Sequence, residues 1–238
     1  MRVISVNVGL PREVAWHGTT VSTGIYKEPV GGRVALRKLN FEGDGQADLT
    51  VHGGEYKAVY CYPLEHYEYW KRELPDRELP MGVFGENLTV DYSRDEEGSP
   101  REGGASEESG LPEERVHLGD RFSVGSAEVV VTQPRLPCFK LGIRFESDDM
   151  VRRFLESGRT GFYVAVTREG EVGAGDEMKV LSRDPNGVSI SEIVRLYTKK
   201  SYSRADAAVV ERAGQVKEFP DSWRQYLYER MGLNRDSG

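Results

Sequence analysis

The chain is short of several things, and each shortage removes a class of protein. Among 238 residues only Cys61 and Cys138 are cysteines. A disulfide framework is therefore excluded as the source of stability; no export signal is evident, and a reducing cytoplasm is the expected compartment, with both thiols unbridged. No apolar run approaches the ~18 residues needed to span a bilayer. The opening Met1-Arg-Val-Ile-Ser-Val-Asn is too short and polar for a signal peptide and reads as a first strand. Positive charge is also in short supply, with 32 basic residues against 39 acidic and a net charge of −7. No broad cationic field is left to hold a nucleic-acid polymer. Much of the acidity is local, since Ser93 to Arg115 carry eight acids and three bases. The histidines (His17, His52, His66, His117) form no H-x-x-H or H-x-x-x-H pair and the cysteines no C-x-x-C, so a zinc-type site has little support. No Walker loop is present, and no strand is followed by G-x-G-x-x-G.

What remains is an ordinary globular composition, 38% apolar with 27 glycines and 11 prolines. Up to about Arg183 the pattern is short and alternating with many Gly and Asp breaks, which favours a β-rich body. Val3–Val8, Val34–Leu39, Ala58–Tyr62 and Phe122–Val131 alternate. Gly119-Asp120 and Gly175-Asp176 each precede an alternating strand, suggesting a barrel of related hairpins. One helix interrupts this body, opened by Pro63 and running from Leu64 to Leu74. Ser93–Arg115 has almost no apolar residues and is expected to be a mobile acidic surface insert. From about residue 185 the period changes to 3.6. Capping boxes at Ser189/Glu192 and Ser203/Asp206, then Pro220, open three short helices. The expected fold is mainly β, a distorted barrel over 1–184 followed by a small three-helix domain over 185–238.

Three segments carry candidate chemistry. In Gln133-Pro-Arg-Leu-Pro-Cys138-Phe-Lys the two prolines remove backbone donors, so the run leaves its strand as a stiff loop that presents Cys138. Arg135 and Lys140 favour the thiolate, the form that attacks electrophiles or binds soft metals. The competing reading is a small buried thiol with incidental cations. Cys61 lies in an alternating strand and reads as core. In Val51-His52-Gly53-Gly54-Glu-Tyr-Lys57 the glycines admit a ligand close to the backbone and Lys57 supplies charge, unless the segment is only a turn with an exposed histidine. In Phe84-Gly-Glu86-Asn87-Leu88 the polar pair either hydrogen-bonds a ring ligand or caps a turn.

Taken in order, Lys38–Asp48, Val51–Gly54, Lys57–Pro63 with Glu65–Tyr67 and Trp70, Phe84–Leu88, Leu118–Phe122 and Gln133–Leu141 resemble a MOSC domain, named after the C-terminal part of molybdenum cofactor sulfurases, most closely its bacterial YiiM-like subgroup. The resemblance covers most of residues 1 to 183, and the helices beyond match that subgroup's appendage. It implies a distorted β-barrel binding molybdenum cofactor, with Cys138 as thiolate ligand of the metal, and His52, Gly53, Gly54, Lys57, Asn87 and Arg135 around the pocket. It also implies reduction of N-hydroxylated compounds of the hydroxylaminopurine or amidoxime type, with Glu86 or His52 passing a proton. No iron–sulfur or flavin motif is present, so electrons are expected from a separate flavoprotein or ferredoxin-like partner. Pyridoxal phosphate is associated with the family through a desulfurase domain missing here, and is not expected to bind. The alternative is a non-catalytic cofactor carrier, or a sulfur-transfer module using a Cys138 persulfide. A Cys138–His52 hydrolase oriented by Asp44 or Asp48 is a third reading.

Overall fold

The computed structural model describes residues 1–48, 53–93 and 110–232. Twelve strands are seen among them: β1 (Arg2–Val8), β2 (Arg12–Trp16), β3 (Thr19–Thr23), β4 (Glu28–Pro29), β5 (Arg33–Leu36), β6 (Val59–Pro63), β7 (Leu88–Asp91), β8 (Arg121–Val124), β9 (Ala127–Pro134), β10 (Phe162–Arg168), β11 (Gly170–Gly173) and β12 (Met178–Ser182). Six helices accompany them: α1 (Glu65–Glu73), α2 (Phe139–Phe145), α3 (Met150–Glu156), α4 (Ile190–Thr198), α5 (Arg204–Gln215) and α6 (Asp221–Met231).

Eight strands form one mixed sheet in the order β12-β8-β9-β10-β6-β7-β1-β4. Its one parallel pair is β6 with β7. The expected barrel is corrected to an open sheet. Its far parts meet at a short junction, where Arg2 bridges Glu177, Val3 exchanges main-chain hydrogen bonds with Gly175 and Asp176, and the Met178 N–H donates to the Met1 carbonyl at 2.9 Å. This junction does not extend into a ladder between named strands, so no closed barrel forms among the described residues. The two Gly-Asp turns are alike in detail. Asp120 accepts from the His117 N–H at 3.2 Å, and Asp176 from the Gly173 N–H at 2.9 Å. The strands these turns feed, β8 and β12, pair with each other.

Strand β6 shows why the body splits into two cores. Side chains alternate across a strand, so Val59 and Cys61 enter the main aliphatic core, whereas Tyr60 and Tyr62 enter an aromatic core with Tyr67, Trp70, Phe84 and Phe154. Trp70 stacks on Phe154 at 5.8 Å and 6° and donates its indole N–H to the Tyr62 hydroxyl at 2.8 Å. Helix α1 ends within a residue of the limits read from sequence, while α2 and α3, which also cover the aromatic core, are absent from that reading. Both capping boxes are formed, and Pro220 caps α6. The C-terminal helices contribute Ile190, Ile193, Val210 and Leu227 to the same aliphatic core as the sheet. Helix α4 packs on β9 and α5 on α6, and Tyr197 of α4 meets Trp223 and Tyr226 of α6, so the three helices share one continuous core with the sheet.

Most of the acidic insert, 94–109, lies outside the described residues. Its end corrects the expectation of a mobile loop: Pro112–Glu114 make a 3-10 turn in which Pro112 and Glu113 are buried. The alternation over Val34–Leu39 yields strand only as far as Leu36, after which a tight turn brings Phe41 back to bridge Leu36.

Candidate functional site

Strand β9 carries the site to its place. It runs to Pro134, the chain then leaves the sheet through Arg135, Leu136 and Pro137, and Cys138 is the N-cap of α2 with extended φ of −123°. The prolines therefore act as expected, but the loop ends on a helix. Cys138 is half-buried, Cys61 is fully buried, and neither is in a disulfide. Burial pushes the Cys61 thiol up, far from any reactive range.

Cys138 opens onto a cleft with about 650 Å³ of empty space, part of it continuous with solvent. Its walls include Lys57, Tyr60, Arg135, Leu136, Lys140 and Tyr163, and the segments 23–27 and 45–47 approach each other across one side. That approach depends on glycine, since a Cβ on Gly24 would lie 2.4 Å from the carbonyl oxygen of Gly45. Gly53 also lines the cleft, at φ 96° beside the Gln46 side chain.

Arg135 is the least expected member. It is 5% exposed, with its guanidinium 4.8 Å from the centre of the Phe154 ring and 5.3 Å from that of Tyr60. Nη2 donates to the Phe84 carbonyl at 3.4 Å, and Nη1 is buried without an acceptor. Burial opposes its charge, but the surrounding Tyr60, Tyr163 and Cys138 more than offset this and hold its pKa up. Burial pulls the Lys57 pKa down, an effect that Cys138 opposes. A soft donor, a buried cation with an open donor position and a second cation thus meet in one cleft.

Other expected site residues are placed differently. Asn87 lines the cleft, but its side chain is a cross-tie. Oδ1 accepts from the Tyr60 N–H at 3.1 Å, and Nδ2 donates to Asp44 Oδ2 at 2.9 Å and to the Asn7 carbonyl at 3.3 Å. Asp44 is further held by the buried Lys27 ammonium and the Gly9 N–H, so its carboxylate is already fully engaged. Glu86 does not line the cleft. Fully buried, it accepts from the N–H groups of Gly82 and Phe84 and from the hydroxyls of Thr89 and Tyr67. Burial raises its pKa, and those hydrogen bonds oppose the rise. The proton-passing expectation for Glu86 is corrected accordingly: the carboxylate knots a turn. Gly54 is exposed and caps the short 3-10 turn Glu55–Lys57. His52 lies outside the described residues. Sequence reasoning missed Tyr60, Tyr163 and Lys27 as cleft residues. Tyr60 lies within the Lys57–Pro63 segment and Tyr163 on the strand paired with Gln133, whereas no motif in the sequence points to Lys27.

A family model described as MOSC domain matches residues 48–179, and the chain belongs to that family. Within it the protein is YiiM-like. It is 37% identical to Protein YiiM of Escherichia coli over 163 residues, 68% of this chain and 65% of that one. The crystal structure of YiiM from Geobacillus stearothermophilus superposes with a TM-score of 0.72 at 30% identity, covering 97% of this chain and 98% of that one. An uncharacterized protein of Bacillus subtilis, YflK, is 39% identical over 93% of this chain and 90% of its own length. A protein of Gibberella moniliformis named Reductase is 28% identical over 78% of this chain, which matches only 30% of that longer protein. No helix among the described residues is long and apolar enough to cross a membrane.

Proposed function

We propose that the protein binds molybdenum cofactor in this cleft, with the Cys138 thiolate as protein ligand to the metal, and reduces N-hydroxylated compounds of the hydroxylaminopurine or amidoxime type. Membership of the MOSC family supports a molybdenum-cofactor-related role, and the name of the Gibberella relative agrees with reduction. The observation that carries the reading is the cleft's pairing of a half-buried sulfur with the buried Arg135 guanidinium, whose Nη1 has no acceptor.

The residues present fit the group. A thiolate is the soft donor that suits molybdenum, and a buried guanidinium with an unsatisfied Nη1 calls for an anion such as the cofactor's phosphate or an acceptor on its pterin edge. When bound, the cofactor supplies the two-electron chemistry. The chain's own part is positional. Pro137 and the start of α2 would fix the sulfur, Arg135 would meet an anionic or acceptor group of the ligand, and Lys57 would add positive charge on the same wall. Gly53 admits a ligand close to the backbone. Tyr60, Tyr163 and Leu136 displace water from the wall. Electrons come from a separate flavoprotein or ferredoxin-like donor.

The test is expression in a host that makes the cofactor, followed by molybdenum and pterin analysis of wild type and Cys138→Ser. Metal retained by wild type and lost from the variant is expected, and equal metal in both removes the ligand assignment. The chemically reduced loaded protein should then consume an N-hydroxylated base. Bound cofactor without turnover supports the carrier or sulfur-transfer reading in its place.

A further inference from the structure

Three arginines outside the cleft gather on a pair of aromatic rings. Arg12 begins β2, Arg77 lies in the turn after α1, and Arg144 is in the last turn of α2. The Arg12 guanidinium carbon lies 3.5 Å from the centre of the Tyr26 ring, and that of Arg144 lies 5.0 Å from the same centre. Arg77 sits 5.5 Å from the centre of Phe145, and its Nη1 is 3.5 Å from the Arg144 carbonyl oxygen. None of the three is ion-paired among the described residues, although the protein is acidic overall. Arg144 Nε is buried and has no acceptor. Burial pulls the Arg144 pKa down, and the charges of Arg12 and Arg77 pull it further, against Tyr26 and the exposed Glu28.

We propose that Arg12, Arg77 and Arg144 form a site for the phosphate group of a small phosphate monoester. Like charges held together by stacking repel one another, and a multivalent anion relieves that repulsion. Guanidinium forks match phosphate oxygens in pairs, and their seating on rings lowers the entropy lost on binding. The recessed Nε of Arg144 favours a small anion over the acidic face of a protein, whose carboxylates stand on a broad surface.

The arginine cluster adjoins the cleft along the chain. Tyr26 lies between Ile25 and Lys27, both of which line the cleft. Helix α2 has Cys138 at one end and Arg144 at the other, separated by about 9 Å of helix rise. That span suits a molecule with a planar base at one end and a phosphate at the other. Resting on the N-hydroxylated-substrate reading above, the inference makes N-hydroxylated nucleotides, rather than free bases, the substrates held best.

Calorimetry on the full chain at low salt, with adenosine 5′-monophosphate, adenosine and inorganic phosphate as probes, tests the site without any turnover. The nucleotide should bind at one site about 10-fold tighter than adenosine and be displaced by phosphate. Arg144→Gln should weaken it about 10-fold. The exposed Arg12→Gln should do so about 5-fold and guards against a folding defect at the half-buried Arg144. Arg152→Gln, whose guanidinium is already paired with Asp149 and Glu156, should change nothing. Equal binding of nucleotide and adenosine overturns the proposal. So does an equal loss in Arg152→Gln, which marks diffuse attraction, or binding of a polyglutamate peptide alone, which marks an acidic protein partner. On the loaded, reduced protein Arg12→Gln should raise KM for an N-hydroxylated nucleotide and leave that for its nucleoside unchanged. Turnover of neither sinks the N-hydroxylated reading, while the phosphate site stands or falls on the calorimetry.

Discussion

His66 Nε2 lies 2.8 Å from Glu113 Oε1, with both side chains essentially out of water, and the same oxygen accepts the Gly161 N–H at 2.7 Å. The contact ties α1 to the end of the acidic insert and to the entry of β10. Burial alone would raise the Glu113 pKa, but His66 and the Gly161 N–H overcome it and hold the carboxyl below its ordinary value. A depressed folded pKa contributes stability that is present above the unfolded carboxylate value of about 4.3 and is lost as pH falls through the folded one. Urea unfolding from pH 7 to 3 should show that loss, and Glu113→Gln should flatten it. Glu113→Ala, which strands His66 and the Gly161 N–H, should cost about 3 kcal/mol at pH 7.

The residue beside His66 behaves in the opposite sense. Glu65 Oε1 accepts the Tyr92 N–H at 2.7 Å, while Oε2 is buried with no donor. Burial, only partly offset by its own N–H and that of Tyr92, raises its pKa to about 7. A raised carboxyl pKa favours the folded state at low pH, so its contribution fades as pH climbs from about 4.3 towards the folded value. Glu65→Gln should therefore match wild type in Tm at pH 4 and exceed it at pH 8. A variant less stable at both pH values would show that the ionised carboxylate has a partner in the folded protein.

How far the sequence discloses these features depends on whether the cause is local. The capping boxes at Ser189 and Ser203 are local, since one hydroxyl and one acid three residues apart satisfy two orphan N–H groups whatever surrounds them, and both are formed. So is the break at Pro134 and Pro137. Helices α2 and α3 were missed because they are only seven residues each, too short for periodicity to stand out, and are held by Leu141, Phe145, Met150 and Phe154 packing on the aromatic core. Sheet closure is a global property that alternation cannot report. At the site, Cys138 was legible from its ring-constrained flanks. The fates of Glu86 and Asn87 were not, because their partners Gly82, Tyr67, Asp44 and Asn7 are set by tertiary contact.

The Glu86 knot has a consequence for stability. Removing the carboxylate strands two main-chain N–H groups and two hydroxyls in a buried turn, and each unsatisfied donor costs about 1–3 kcal/mol. Glu86→Ala should lower stability by about 3 kcal/mol or more, read by urea unfolding. The rate at which iodoacetamide alkylates Cys138 in the remaining folded protein should be unchanged, because Glu86 is not on the cleft wall. A change in that rate at constant folded fraction would return Glu86 to the chemistry.

Arg135 separates stability from binding. In the protein without ligand, the buried Arg135 guanidinium leaves its Nη1 donor unsatisfied, and exchange of a buried charge for an apolar chain of similar length is often neutral or favourable. Arg135→Met should leave the ligand-free protein as stable as wild type or about 1 kcal/mol more so, because methionine can fill the space between Tyr60 and Phe154. The same variant, expressed where the cofactor is made, should retain much less pterin than wild type, since the anion that the guanidinium is placed to meet then faces hydrocarbon. A ligand-free Arg135→Met protein destabilised by several kcal/mol would instead make this arginine a structural strut between β9 and the aromatic core, and the anchor for the cofactor's charge would have to be sought at Lys57.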